Sequence, residues 1–159
     1  MWVGADQTRE IDTFLIHFYS LWLHIKLRTM LGGLHHIELY VSDLQVSREF
    51  YGWLLTRLGW KEYQSWDQGQ SWRLDRMYLV IVQTEEKYLN PPYHRKRTGL
   101  NHLAFYATSR KTVDNIAREL KSRGTTILYT GRFPYAGGAD HYAVFFEDPD
   151  RIKLELVAP

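Results

Sequence analysis

The chain has no cysteine among its 159 residues. Disulfides, thiolate nucleophiles and cysteine-ligated zinc are therefore excluded, and any metal must be held by histidine, aspartate or glutamate. A surplus of charge is also missing. Twenty basic residues face 18 acidic ones, and the only compact basic run is His94-Arg95-Lys96-Arg97. A nucleic-acid surface normally carries a sustained basic face, so no such partner is expected and the run reads as a solvated loop. Long apolar stretches are lacking too. Between Ile11 and Met30 the apolar residues are broken by His17, His24, Lys26 and Arg28. The uninterrupted part is shorter than the ~20 residues of a membrane span, and no basic segment precedes it as in a signal peptide. Residues 1–30 read as a helical extension packing on the domain or on a partner, with Met30 as an alternative start. A cytoplasmic location is the default expectation.

What is present is ordinary in bulk and ordered in detail. At 45% hydrophobic and 24% charged residues, the remainder is one globular domain, residues 31–159. Aromatic residues are abundant, with 11 Tyr and 6 Trp. Rings in that number suit a sheet core or a cavity around an organic ligand.

The order of elements repeats. From His36 the pattern predicts a strand, a cap at Ser42-Asp43, a helix with Phe50, Leu54 and Leu58 on one stripe, and a stop at Gly59. Strands near Trp60 to Trp66, Gln70 to Leu74 and Met77 to Val82 follow. From His102 the same order recurs, with Thr108-Ser109, then Val113, Ile116, Ala117 and Leu120 on a helix face, then Gly124. Strands near Thr125 to Thr130, His141 to Glu147 and Ile152 to Val157 complete it. His36 to Gly59 is 23 positions and His102 to Gly124 is 22. The expected fold is α+β: two βαβββ modules, residues 31–90 and 98–159, forming a cup-shaped mixed eight-stranded sheet with helices outside.

Three strand-like segments alternate with period two. Ile37, Leu39 and Val41, then Leu103, Phe105 and Ala107, then Ile152, Leu154 and Leu156 fall on one face. His36, His102 and Glu155 fall on the other. Two imidazoles and a carboxylate make a first shell for a catalytic divalent metal. Glu38 and Tyr40 share the His36 face and Tyr106 shares that of His102, so these residues should line the cup. Glu38 is a candidate base for a proton next to a carbonyl, and His141 a candidate acid or base near neutral pH. The loop Gly131 to Gly138 suits a lid, and Arg132 within it could hold an anionic substrate group.

Over residues 31–159 the chain resembles the vicinal oxygen chelate superfamily, which includes glyoxalases, bleomycin-resistance proteins and extradiol dioxygenases. The resemblance rests on His36-Ile-Glu-Leu-Tyr-Val-Ser-Asp-Leu with Arg48-Glu-Phe-Tyr, on Gly99-Leu-Asn-His102-Leu-Ala-Phe, and on Phe145-Phe-Glu-Asp-Pro-Asp-Arg-Ile-Lys-Leu-Glu155-Leu. It implies that His36, His102 and Glu155 hold one divalent ion, whether Zn, Ni, Mn or Fe, for a small organic substrate chelated through oxygen. It also implies a homodimer. The departures narrow the chemistry. Glyoxalase I enzymes take a fourth ligand from the last strand of the first module, where this chain has Val80 or Ile81, with Gln83 one pleat further on. Extradiol enzymes use a tyrosine ten positions before the ligand glutamate, where Phe145 stands. Fosfomycin thiol transferases continue past the glutamate with an arginine-bearing segment, whereas this sequence ends at Pro159. The expectation is a metal-dependent lyase or isomerase. The alternatives are a metal-free sequestering protein of the resistance type and a non-extradiol Fe(II) dioxygenase.

Overall fold

The structure is a computed structural model, and it describes residues 33–159. The expected N-terminal helix lies outside the described residues. Ten regular elements follow one another as β1 (His36–Val41), α1 (Leu44–Arg57), β2 (Lys61–Trp66), β3 (Gly69–Leu74), β4 (Met77–Gln83), β5 (His102–Tyr106), α2 (Arg110–Ser122), β6 (Ile127–Leu128), β7 (Ala143–Glu147) and β8 (Lys153–Val157). This is βαβββ twice. The eight strands divide into two four-stranded sheets, ordered β1-β4-β3-β2 and β5-β8-β7-β6. Each sheet is mixed, because the crossover through the helix makes β1 parallel to β4 and β5 parallel to β8, while the hairpin-linked pairs are antiparallel.

Local chemistry sets the helix ends. The Asp43 carboxylate accepts from Val46 N at 3.0 Å and Ser109 Oγ from Thr112 N at 3.2 Å, satisfying amides that have no partner inside the helix. Each helix stops at a glycine in the left-handed region, Gly59 (φ 85°) and Gly124 (φ 74°).

The alternation in the sequence becomes a division of faces. Leu39 and Val41 of β1, Phe105 of β5, and Leu154 and Leu156 of β8 join one hydrophobic cluster with Phe50 and Leu54 of α1 and Val113 and Leu120 of α2. Residues of both modules share this cluster. Phe50 meets Phe146 at 6.5 Å between ring centroids, and Trp60 meets Phe105 edge-on at 6.1 Å. The opposite faces of β1 and β5 stay open, and His36, Glu38, Tyr40, His102 and Tyr106 are all exposed there.

Polar contacts tie the two modules together. Ser42 N donates to both Asp150 carboxylate oxygens at 3.2 and 3.1 Å, and the buried Tyr51 hydroxyl donates to Asp148 Oδ2 at 2.8 Å. Ile152 N donates to Asp148 Oδ1 at 2.7 Å. The basic run near residue 95 takes part as well. Arg95 ion-pairs with the buried Glu147, and the Arg151 guanidinium lies 3.6 Å from the same carboxylate. The expected solvated loop is thus pinned at one residue, because a buried carboxylate needs a cation beside it.

Burial pushes the Asp148 carboxyl from its ordinary 3.8 up to about 7, although the hydrogen bonds from Tyr51 and Ile152 N pull the other way. A raised carboxyl binds its proton more tightly in the folded state, so its contribution to stability is present below pH 4 and is lost as pH rises to about 7. Asp148→Asn keeps an acceptor for Ile152 N and cannot ionise. We expect the melting temperature of the wild type to fall from pH 4 to 7 more steeply than that of the variant. Parallel thermal melts check this; superimposable slopes would reject it.

Candidate metal and acid-base site

Pairing in the second module places a carboxylate at the centre of a sheet. β8 lies between β5 and β7, with Glu155 opposite Ala104 on one side and Phe145 on the other. The sequence pattern puts Glu155 on the non-core face, yet only 4% of it is exposed. The difference comes from its position in an inner strand, where neighbouring strands and the side chains reaching over them exclude water.

Two imidazoles meet this carboxylate. His102 Nε2 stands 3.3 Å from Glu155 Oε2, and His141 Nε2 contacts Oε1. The tautomer of the neutral His102 ring follows from its other neighbour. Asn101 Nδ2 donates to Arg95 O at 3.3 Å, which turns Asn101 Oδ1 toward His102 Nδ1 at 2.8 Å. A carbonyl oxygen only accepts, so Nδ1 carries the proton in the neutral ring and Nε2 presents a lone pair to Oε2. In that neutral tautomer the space between the two atoms admits a cation. With metal–ligand bonds near 2.1 Å, two donors of a tetrahedral ion stand ~3.4 Å apart, close to the spacing seen here. Asn101 was missed by strand periodicity, since it precedes β5 and meets the His102 ring from outside the strand pattern.

The first module carries the other half of the expected set. His36 opens β1, exposed, with its ring stacked on Tyr78 at 4.8 Å between centroids. Glu38 pairs with Val80 across β1 and β4, as Ala104 pairs with Glu155 across β5 and β8. The register therefore makes Val80, not Ile81, the counterpart of Glu155. The carboxylate has changed strands between the modules: on β8 in the second, on β1 in the first. Gln83 is already committed, accepting from Leu44 N at 2.9 Å and donating to Ser42 O at 2.9 Å, which secures the turn into α1.

Glu38 and Tyr40 border a cleft of about 580 Å³ whose other walls include Tyr88, Tyr93 and Thr98. Tyr40 and Tyr106 are 64% and 84% exposed. Arg132 lies in a 3-10 turn, Thr130–Arg132, with its guanidinium 5.2 Å from the Tyr129 ring centroid. His141 lies just before β7 rather than within it. The structure thus gathers His102, His141 and Glu155, and sets His36, Glu38 and Tyr40 together on a different sheet. His102 and His141 approach different oxygens of Glu155. Among the described residues no three His, Asp or Glu side chains surround one point at which an ion could sit.

Comparison with known proteins agrees with this architecture. Residues 33–156 match the profile of the Glyoxalase/Bleomycin resistance protein/Dioxygenase superfamily. The uncharacterized protein YqjT of Bacillus subtilis is 62% identical over 126 residues, covering 79% of this chain and 98% of that one. The glutathione transferase FosA of Serratia marcescens is 31% identical over 127 residues, covering 80% and 81%. The crystal structure of a glyoxalase candidate from Bacillus halodurans superposes with a TM-score of 0.81 at 55% identity, covering 82% of this chain and 98% of that one. With its doubled βαβββ unit and a match over most of its length, the chain belongs to the glyoxalase, bleomycin resistance protein and dioxygenase superfamily.

Proposed function

We propose that this protein is a divalent-metal-dependent enzyme that acts on a small organic substrate held through its oxygens, as a lyase or isomerase. The observation that carries the reading is the approach of two metal-competent atoms, His102 Nε2 and Glu155 Oε2, to 3.3 Å, with His102 Nδ1 already engaged by Asn101. Three ligands, His36, His102 and Glu155, leave positions open for substrate. A divalent ion bound there supplies Lewis acidity to the substrate oxygens and stabilises the negative charge that develops on them.

The remaining roles belong to the chain itself. Glu38 engages no ion pair among the described residues, and it borders the cleft, which suits a base that takes a proton from carbon next to a carbonyl. Tyr40 and Tyr106 shape the walls around the substrate. Arg132 serves as a loop contact for an anionic group.

The site is completed by a second copy of the chain. His36 and the His102–Glu155 pair belong to different sheets, and among the described residues they form no three-residue group. The faces that carry them are open and bear exposed tyrosines, Tyr40 and Tyr106. A homodimer that sets the first module of one chain against the second module of another would close the cup and bury those rings.

A second reading draws on FosA, whose name is that of a glutathione transferase. On that reading the same ligands polarise an oxygen of a substrate that a thiol attacks. Consumption of thiol with substrate would favour this transfer, and its absence, with solvent deuterium entering the substrate, favours the lyase or isomerase.

Two measurements test the proposal. His36→Ala and Glu155→Gln should each lose stoichiometric metal, and mixing the two after unfolding and refolding should restore about one quarter of it, since half of randomly reassorted dimers hold one intact site. No recovery in the mixture would place all three ligands within one chain; metal unchanged in both variants would sink the metal-enzyme reading. Glu38→Gln should retain the metal and slow deuterium exchange next to a substrate carbonyl by about 100-fold to 10,000-fold. An unchanged exchange rate would remove Glu38 from proton transfer.

A further inference from the structure

We infer that His141 is a positioning residue that holds one oxygen of Glu155, so that the carboxylate presents only Oε2 to a cation beside His102, and that Gly137 exists to seat the His141 ring. This rests on the metal site proposed above and adds a residue to its architecture.

A carboxylate on a flexible side chain can bind an ion through one oxygen or two, and can rotate between these modes. Here the two oxygens have separate partners. His141 Nε2 contacts Oε1, and His102 Nε2 faces Oε2. A hydrogen bond from His141 to Oε1 removes that oxygen from competition for an ion and stops the carboxylate from rotating. Glu155 is then left as a one-oxygen ligand, and more of the shell stays open for substrate. Outer partners of this kind orient ligands and set metal affinity.

The His141 ring is itself held from several sides. A Cβ built on Gly137 would lie 2.4 Å from His141 Cδ2 and 2.9 Å from Cγ, so the ring rests directly on glycine backbone. Phe145, the register partner of Glu155, lies on another side with ring centroids 6.4 Å apart and planes 30° from parallel. His141 N donates to Gly138 O at 3.1 Å, and Ala143 N donates to Pro134 O at 2.8 Å, which fix the backbone on either side of the ring. A side chain at position 137 would have to displace the imidazole. Glycine is required there by a contact rather than by backbone freedom alone, since the positive φ of the Gly137-Gly138 pair belongs to Gly138.

The test compares metal affinity with the carboxylate binding mode in the full-length protein. Mn²⁺ or Ni²⁺ affinity is measured by titration calorimetry, and the mode from the splitting of the carboxylate stretches in metal-minus-apo infrared difference spectra. His141→Ala should weaken binding by about 10-fold to 100-fold and narrow the splitting as Glu155 changes from one-oxygen to two-oxygen ligation. Gly137→Ala, which leaves the imidazole in the chain but displaces it, should shift both readouts the same way. His141→Gln, whose amide can still donate to Oε1, should recover part of the affinity and the wide splitting. The inference is overturned if His141→Ala leaves affinity and splitting unchanged while His102→Ala abolishes binding. If His102→Ala also leaves binding unchanged, the metal site itself is wrong and the inference falls with it.

Discussion

A carboxylate buried in an inner strand has to find partners, and much of this site can be read as the answer to that requirement for Glu155. Ionised, with 4% of its surface exposed, it would be costly without positive charge or hydrogen-bond donors around it. The chain answers with His141 on one oxygen and His102 opposite the other. In the neutral His102 ring the Asn101 contact places the proton on Nδ1, which leaves room for an ion between Nε2 and the second oxygen. An ion there would convert an electrostatic liability into a working centre.

Duplication of the βαβββ unit explains why candidate donors recur at matched positions of two sheets. Each module pairs its first strand with its last, so the first-strand histidine and the last-strand carboxylate position are brought near by local topology. The two modules use this differently. The second combines His102 with Glu155, while the first combines His36 with Val80 and shifts its acid to Glu38 on β1. Because the apolar faces of both modules join one cluster, and because Asp148 and Asp150 bind Tyr51 and Ser42 across the junction, the polar faces are left open.

The strand parity of β1, β5 and β8, the caps at Asp43 and Ser109 and the stops at Gly59 and Gly124 were all legible in the sequence, because they follow from local rules of period, capping and backbone freedom. Other features were not. Arg95 looked like part of a solvated basic run and instead neutralises Glu147, a residue 52 positions away. Gln83 looked like a spare amide near the site and is consumed by the turn at Ser42 and Leu44. The expected strand from Thr125 to Thr130 shrank to Ile127–Leu128, as an edge strand pairs on one side only.

The sequence by itself determined the class of fold, the superfamily and the donor set available to it: no thiols, and histidines and acids at matched strand positions. Periodicity is a property of neighbours along the chain, so it survives without knowledge of the rest. Tertiary structure decided which donors meet. The β1–β4 register selected Val80 as the counterpart of Glu155, and the loop that packs Gly137 on His141 delivered that ring to the carboxylate. It also set His36 on a different sheet from the other two. Those outcomes depend on pairing and packing between segments far apart in sequence, and on burial, which no local pattern encodes.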